Sequence, residues 1–536
     1  MENKNTIIAV VLMLVVWVGF SVLSPQHSTQ PESSTTSEVK SVSTETAPTS
    51  APAEPAPVTL QPPPTVPDSN DIVRHFTVEN SLYRAVFSSR GGELIEYTLK
   101  GFQETTDANS ANVALVVPGS GNGTLLIRGS EAFSLPAGMN LHSDSPGSLT
   151  LDAEGEGTLH FIGKSSSGAI LEKIFVFHGN SYGIDLDVKV TNPGSNPLRG
   201  DLVLTLFHPW DPEHAGGQYD YVGPVSLVGD KVKTAKIKDL AETPQAFGAD
   251  TVWTGFENKY FMNVGVPLAG TLEKVSVSKS ISGIENQLQT KYITLDPGTS
   301  RTFSYLLYFG PRDLDVLKSL DHQLAKAIDF GFFSIIATPL LHVLKFFYSF
   351  VGNYGIAIIA LTVIIKLLFW PLTQKSYGSM KAMQKLQPEM QKIREKFKND
   401  KERLNREMME LYKTHRVNPL GGCLPMLVQI PVFFALYKVL LSSIELRHAE
   451  FGFWLTDLSA KDPYYITPLI MGVTMFVQQK MSPSTMDPTQ AKIFMLMPVV
   501  FTFLFLNFPS GLVIYWLVNN LLTILQQYFI NRKPAA

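Results

Sequence analysis

The sequence predicts a multidomain membrane protein: an N-terminal anchor helix, a large periplasmic antiparallel β-sandwich and an all-α core of five transmembrane helices with a cytoplasmic helical hairpin. Apolar runs lie at the N-terminus and through the last third of the 536 residues. The middle of the chain alternates apolar and polar residues instead, as half-buried strands do. Hydrophobic residues are 45% and charged residues 17%, so the averages describe a mixture of lipid-facing and soluble segments.

Residues 1–24 are predicted to be the anchor. Ile7–Leu23 is an apolar run just long enough to cross a bilayer, and no A-x-A cleavage pattern follows it. A cleaved signal peptide is the alternative. Residues 25–71 are rich in Pro, Ser and Thr with almost no large apolar residue, so we expect a disordered linker.

Residues 72–312 are predicted to form the β-sandwich. Tyr182–Val190 alternates apolar and polar residues up to a turn at Thr191–Gly194, and Leu202–Phe207 and Phe303–Phe309 are similar. Turn residues such as Gly91-Gly92 and Asp296-Pro-Gly298 separate these runs. Scattered histidines could suggest a sugar-modifying site, although structural roles are more usual in a β domain; they are His160, His178, His208 and His214.

The rest of the chain is predicted to be helical. Residues 313–351 are expected to form an interfacial amphipathic helix, because the apolar run Phe333–Phe350 carries His342, Lys345 and Pro339; a full span is the alternative. After it we predict transmembrane helix 2 at 352–374, the hairpin at 375–418, transmembrane helices 3–6 at 419–530 and a tail at 531–536.

Charge predicts the orientation and excludes several functions. The segment Lys375–Arg416 holds twelve basic residues, which places it in the cytoplasm. Counting spans outward puts both termini there as well and the β domain outside, in the periplasm if the cell has two membranes. The predicted location is the bacterial inner membrane. A net charge of −3 argues against a nucleic-acid binder, and the lone Cys423 leaves no disulfide framework or Cys-based metal site. Since no phosphate loop or catalytic motif occurs either, we predict no enzyme, metal or cofactor.

Polar residues inside the predicted spans are candidates for function. Lys366 lies one helical turn from Thr362, and the third span carries Gln429. In the last span, one stripe about 80° wide holds Tyr515, Asn519, Thr523 and Gln526. Hydrogen bonding between helices, or a Lys366 side chain reaching out to the interface, would explain these residues; a hydrated groove with one positive charge is the sharper hypothesis.

The basic hairpin has an apolar stripe rich in methionine, with Pro388 expected to kink it. Methionine side chains adapt to many apolar sequences, so this face is a candidate surface for nascent hydrophobic segments or the ribosome. A hairpin that packs on itself is the alternative. The candidate contact residues are Met380, Met383, Met390 and Met408.

Several long motifs resemble the YidC/Oxa/Alb family of membrane insertases, and the resemblance covers essentially the whole chain. The motifs are Asn418-Pro-Leu-Gly-Gly-Cys-Leu-Pro-Met-Leu-Val-Gln-Ile-Pro431, Asp462-Pro-Tyr-Tyr-Ile466, Met471-Gly-Val-Thr-Met475, Gln479-Lys-Met-Ser-Pro483 and Phe508-Pro-Ser-Gly-Leu512. The anchor, linker and large periplasmic domain resemble the Gram-negative branch.

The resemblance implies a periplasmic β-supersandwich and a five-span core with a groove open to the cytoplasm and to lipid. By position, Lys366 stands where the family normally has arginine, Thr362, Gln429 and Tyr515 fall on groove-lining positions, and Trp516 replaces a frequent tyrosine. Lysine keeps the charge but loses the bidentate geometry of arginine. The implied function is insertion and folding of inner-membrane proteins, alone or with the Sec translocon and its accessory subunits.

The implied partners are nascent membrane proteins, the Sec translocon, the ribosome and the lipid bilayer, with no small-molecule substrate. Two other classes remain open from the residues alone. A solute transporter or channel would also need polar residues inside the membrane, and a membrane-anchored carbohydrate-active enzyme would use the β domain.

Overall fold

The structure is a computed structural model. It describes residues 72–119, 123–136, 138–210, 221–268, 270–415, 417, 424–482 and 488–532. The predicted anchor and linker, His214 and Cys423 lie outside the described residues. The chain divides into two compact units, which we describe separately. Residues up to Gln103, Asn112–Gly310 and Leu320–Leu324 form the β unit, and Glu104–Ala111, Pro311–Ser319 and the chain from Ala325 onward form the helical unit.

The predicted alternation of side chains is confirmed in the β unit. Along β9, Ile184, Leu186 and Val188 point into the core and are at most 1% exposed, while the residues between them are half-buried. The strand bounds are β1 His75–Glu79, β2 Tyr83–Ser88, β3 Glu93–Gln103, β4 Asn112–Val116, β5 Leu126–Gly129, β6 Ser148–Thr150, β7 Glu156–Lys164, β8 Ile170–His178, β9 Gly183–Thr191, β10 Leu198–Gly200, β11 Leu202–Pro209, β12 Gly223–Val228, β13 Lys231–Thr234, β14 Gln245–Phe247, β15 Thr251–Glu257, β16 Phe261–Pro267, β17 Leu272–Lys279, β18 Gly283–Thr290, β19 Ile293–Leu295 and β20 Ser300–Pro311.

These strands pair into sheets ordered β4-β3-β2-β1-β6, β14-β17-β18-β11-β5 and β13-β12-β15-β16-β20-β9-β8-β7, with β10 and β19 forming a small ribbon. Pairs such as β1–β2, β7–β8, β8–β9 and β17–β18 are antiparallel, as predicted. β1 and β6 run parallel, with Val78 opposite Leu149, because a long connection through four other strands separates them. A single helical turn, Ile237–Leu240, is also present.

Lys173 on β8 is fully buried in the β unit. The Lys173 amine donates hydrogen bonds to the carbonyl oxygens of Gly91, Gly92 and Leu125, at 3.1 Å for Gly91 and 2.8 Å for Leu125. Gly91 and Gly92 form the β2–β3 turn with φ of +66° and +57°, a conformation that glycine adopts without strain. Burial lowers the pKa of Lys173 to about 7, and the negative charge of Glu93 opposes this shift.

Within the described residues the helical unit contains the helices α1 to α10. Two segments there are long and apolar enough to cross a membrane, Gly331–Val351 and Ser510–Ile530, and the bent pair of α3 and α4 would be a third if it forms one span. Val428–Ser442 and Phe494–Phe505 are shorter apolar helices within the described residues. The helix bounds are α1 Leu314–Ser319, α2 Ser334–Val351, α3 Tyr354–Leu368, α4 Trp370–Lys385, α5 Gln387–Lys396, α6 Lys401–Thr414, α7 Leu424–Ser442, α8 Ile466–Met481, α9 Pro488–Phe505 and α10 Ser510–Arg532.

The helix α2 carries a polar contact on an otherwise apolar segment. The Lys345 amine forms ion pairs with carboxylates of Asp313 at 3.3 Å, Asp315 at 2.8 Å and Glu445 at 2.7 Å. Exposed Ile335 lies elsewhere on the helix. A charged contact at Lys345 and an exposed apolar side chain at Ile335 are both expected of a helix that lies at the membrane surface. That location stays a prediction.

The predicted second span differs from the structure in one respect. A continuous helix was expected at 352–374, but α3 ends at Leu368 and α4 begins at Trp370 with a bend of 59°. Pro371 lies in the first turn of α4, where it needs no amide donor, and its ring disfavours continuation of α3. The chain therefore bends at Phe369, within the residues predicted for this span, and the start of the hairpin at residue 375 stays a prediction.

The loop before α8 is organised by a buried carboxylate. Asp462 is 1% exposed, and its oxygens accept hydrogen bonds from the Trp454 indole at 3.1 Å, the Tyr464 amide at 2.9 Å and both the amide and hydroxyl of Thr467 at 2.7 Å. Burial raises the pKa of Asp462, but the hydrogen bonds together outweigh it and hold this pKa below its usual value. The carboxylate thereby satisfies an amide at the start of α8.

Candidate functional site

Lys366 lies in the last turn of α3, and the sequence around it explains its position. Asn353 caps the start of α3 by accepting a hydrogen bond from the Ile356 amide at 3.0 Å, and the Trp370-Pro371 pair ends the helical path. The basic side chain is therefore near the negative end of the helix dipole. Lys366 is 9% exposed, so its amine needs partners within the protein.

The partners of Lys366 lie on α10. Its Nζ donates hydrogen bonds to Thr523 Oγ1 at 2.6 Å and to Asn519 Oδ1 at 3.3 Å. The Thr523 hydroxyl in turn donates to the backbone carbonyl of Asn519 at 2.6 Å, which leaves its lone pairs for the amine. Within the described residues both acceptors are neutral, so these contacts orient the ammonium group without cancelling its charge.

A third helix joins this cluster through Gln429 on α7. The Gln429 Nε2 donates to Asn519 Oδ1 at 3.1 Å, so this oxygen accepts from both Gln429 and Lys366. The Gln429 side chain also interacts with the hydroxyl of Tyr515, one turn before Asn519 on α10. The structure thus brings together five of the predicted residues, from three helices, in one polar network that we call the Lys366 cluster: Lys366, Gln429, Tyr515, Asn519 and Thr523.

A small open pocket lies beside this cluster. Its walls combine the charged and amide groups with apolar side chains, and five of its seven lining residues come from α3, α4 and the residue between them. The lining residues are Ile365, Lys366, Phe369, Leu372, Thr373, Gln429 and Asn519. The cation in such a pocket can attract an anionic group, and the apolar walls can contact the apolar neighbours of that group.

Two predicted groove residues do not join the cluster. The Thr362 hydroxyl donates to the Ile358 carbonyl of its own helix at 2.6 Å and is buried, as is common for a threonine within a membrane helix. Trp516 packs instead against aromatic rings of α7 and α9, with ring-centre distances of 4.8 Å to Phe433 and 5.4 Å to Phe505. Their lining of a groove stays a prediction.

The hairpin methionines contribute mainly to its own core. Met383 and Met390 are 8% and 4% exposed and form a cluster with Leu386, against which Met408 packs. Met380 is half-buried. Contact of these side chains with a client stays a prediction, and it would require the hairpin to open. The predicted kink at Pro388 is a break, since α4 ends at Lys385 and α5 begins at Gln387.

Sequence reasoning missed polar contacts on the neighbouring face of α10. Asn520 Nδ2 donates to Thr474 Oγ1 of α8 at 3.4 Å. Gln527 Nε2 donates to the Tyr377 hydroxyl of α4 and to Ser482 Oγ, just after α8, at 3.0 Å. Asn520 and Gln527 are seven residues apart and therefore share a helical face, a signal that was available in the sequence.

The histidines of the β unit have local partners. His178 contacts Asp185 at 2.9 Å and Glu156 at 3.3 Å, and His160 contacts Glu172 at 3.5 Å. His208 stacks on the Phe256 ring, and burial lowers its pKa to about 4. Across the described residues no group of three His, Cys, Asp or Glu side chains is arranged to hold a metal ion.

Comparison with known proteins covers nearly the whole chain. The family model described as YidC periplasmic domain matches residues 75–343, and the one described as 60Kd inner membrane protein matches residues 346–536. The membrane protein insertase YidC of Geotalea daltonii is 45% identical over 549 residues, with 100% of both chains covered. That of Geobacter sulfurreducens is 49% identical over 453 residues, covering 84% of this chain and 85% of its own.

Among solved structures, a crystal structure of an active YidC insertase with its first transmembrane domain resolved is 18% identical, with a TM-score of 0.36. It covers 87% of this chain and 94% of its own.

Proposed function

Because this chain belongs to the YidC family of membrane protein insertases, we propose that the Lys366 cluster is the groove that receives segments of nascent inner-membrane proteins. Family membership favours this function over a solute transporter or a carbohydrate-active enzyme. The observation that carries the proposal is the neutral surroundings of Lys366: its amine is held by Thr523 and Asn519, and its charge remains available beside a pocket.

The mechanism begins with a polar flank of the client entering the pocket. An acidic side chain in that flank is attracted by the Lys366 ammonium, with about 4 kcal/mol for two unit charges 4 Å apart at an effective dielectric constant of about 20. Amide groups from Gln429 and Asn519 offer hydrogen bonds to the client backbone. The flank thus crosses part of the membrane without exposing its polar groups to hydrocarbon.

Transfer of the adjoining apolar segment to lipid drives the step. Burial of apolar surface contributes about 25 cal/mol per Å², so a segment of membrane-spanning length supplies more free energy than the flank loses. A nucleotide is not required by this mechanism. The hairpin α5–α6 would meet the client first, through methionine side chains that become accessible as the hairpin opens.

Charge reversal at Lys366 tests the groove. In vesicles, Lys366→Glu should reduce insertion of a client with acidic residues in its translocated flank by at least about tenfold, since an attraction becomes a repulsion. The same client with a neutral flank is the matched substrate and should be affected much less. Lys366→Arg, which keeps the charge, is the control variant. Equal insertion of the acidic client by wild type and Lys366→Glu would exclude the charge role.

We further propose that both termini lie in the cytoplasm, with the β unit in the periplasm, and that the Sec translocon, its accessory subunits and the ribosome are partners. The twelve basic residues of Lys375–Arg416 support this orientation.

A photo-crosslinker at Gln429 or Tyr515 should capture a ribosome-stalled membrane protein. Deletion of residues 72–312 should leave much of the insertion activity, whereas its complete loss would assign the essential role to the β unit.

A further inference from the structure

The helix α4 forms one wall of the pocket. Phe369 at the bend, Leu372 and Thr373 contribute to the lining, while α10 provides Asn519. Because α4 leaves α3 at 59°, its contacts with other helices determine where this wall lies. The size of the pocket therefore depends on what holds α4 against α10.

Apolar packing contributes little to that attachment. Within the described residues, no α4 side chain belongs to the apolar core that joins α2, α3, α7, α8 and α10. The buried residues of α4 are Thr373 and Ser376, which are small and polar, and Met383, which belongs to the separate hairpin core. An element with few buried apolar contacts is among the first to move in a folded protein.

Polar contacts along one side of α4 take the place of apolar packing. The Gln527 amide donates to the Tyr377 hydroxyl and to Ser482 Oγ, so it connects α4, the end of α8 and α10. Gln527 is 1% exposed. One turn further along α4, the Lys381 amine donates to the Ile530 carbonyl at 3.0 Å, close to the negative end of the α10 dipole.

We propose that Gln527 is a positioning residue of the groove: its amide holds α4 against α10, and release of this contact widens the pocket toward the hairpin. The inference rests on the proposed function, because it describes how the groove admits a client. The hydrogen bonds are replaceable by water at the cytoplasmic end of the helices, so α4 can leave and return without breaking the apolar core.

The test measures access to the pocket and does not depend on insertion activity. In a Cys423→Ser background, Thr373→Cys places a single thiol in the pocket wall, and inverted vesicles are treated with a membrane-impermeant maleimide. Gln527→Leu should raise the labelling rate about tenfold, equivalent to about 1.4 kcal/mol. Tyr377→Phe should raise it in the same direction, and the double variant should label no faster than Gln527→Leu alone because both changes break one contact.

Two controls separate this effect from general loosening. Asn520→Leu removes a buried amide from the same helix whose partner is Thr474 of α8, and it should leave the rate at Thr373→Cys unchanged. Exposed Met409→Cys on α6 should label at one rate in all backgrounds.

Unchanged labelling in both Gln527→Leu and Tyr377→Phe would overturn the proposal, as would an equal increase in Asn520→Leu. Tyr377→Phe deletes one oxygen only, so it provides a result even where Gln527→Leu does not accumulate in the membrane. If the proposed function of the Lys366 cluster is wrong, the insertion assay with Lys366→Glu shows this separately.

Discussion

The contact between Lys366 and Thr523 can be measured as a coupling energy. Thr523→Val replaces the hydroxyl by a methyl group of similar size, which removes the 2.6 Å acceptor and leaves the amine with the longer 3.3 Å contact to Asn519. A hydrogen bond to a charged group contributes about 1.5–3 kcal/mol. We therefore expect Thr523→Val to lower the free energy of unfolding of the helical unit by about 1.5–3 kcal/mol.

Thr523→Val should have almost no effect on the free energy of unfolding of a protein that also carries Lys366→Met. Lys366→Met removes the buried charge while Asn519 Oδ1 keeps its hydrogen bond from Gln429, so this single variant should be neutral or slightly more stable. The coupling energy from the four proteins should then be at least about 1 kcal/mol.

Unfolding by SDS in mixed micelles, followed by tryptophan fluorescence, provides the four free energies. Thr523→Ser keeps the hydroxyl and is the matched control, for which we expect most of the stability to remain. Additive effects of Thr523→Val and Lys366→Met, within about 0.3 kcal/mol, would refute the assignment of Thr523 as the main acceptor for the Lys366 amine.

Three further predictions concern other buried groups. Lys173→Met should destabilise the β unit by at least about 2 kcal/mol, since three buried carbonyls lose their donor; pulse proteolysis of the full chain measures this. Because the folded pKa of Lys173 is about 7 and the usual value 10.5, the free energy of unfolding should fall by up to about 1.4 kcal/mol per pH unit as the pH drops from 10.5 to 7. This pH dependence should be absent from Lys173→Met. Asp462→Asn should lower the thermal midpoint of the helical unit and speed cleavage of the loop before α8, because an amide cannot accept all four hydrogen bonds equally well; unaltered cleavage would contradict this role. Met390→Ala should open a cavity in the hairpin and cost about 2–4 kcal/mol locally, seen as faster hydrogen exchange in α5 and α6, whereas exposed Met409→Ala should not.

Regular patterns in the sequence predicted the elements well, because side chains of a strand or helix record which face is buried. The alternation in Tyr182–Val190 determines the two faces of β9, and the stripe from Tyr515 to Thr523 determines the face of α10 that meets Lys366. The bend at Phe369 was missed because Trp370-Pro371 is equally typical of a membrane interface and of a new helix start.

Other features depend on partners that a periodic pattern does not contain. Lys173 interacts with backbone carbonyls, which have no signature in the side-chain sequence, so its full burial in β8 could not be predicted. The spacing of Met383 and Met390 is the same for a docking face as for an internal core, and only the position of α6 distinguishes them. The contacts of Trp516 with Phe433 and Phe505 are likewise absent from any periodic pattern, and its place on the groove, given by resemblance, stays a prediction.

The shared oxygen of Asn519 has a consequence for turnover. When a client carboxylate draws the ammonium of Lys366 away, Asn519 Oδ1 still accepts from Gln429, and Thr523 keeps its bond to its own helix. Of the two acceptors of the amine, only the Thr523 hydroxyl then loses its donor, and the carboxylate of the client compensates the cation for that contact. The site can exchange one anionic guest for the next with little reorganisation, as a protein that must release each client requires.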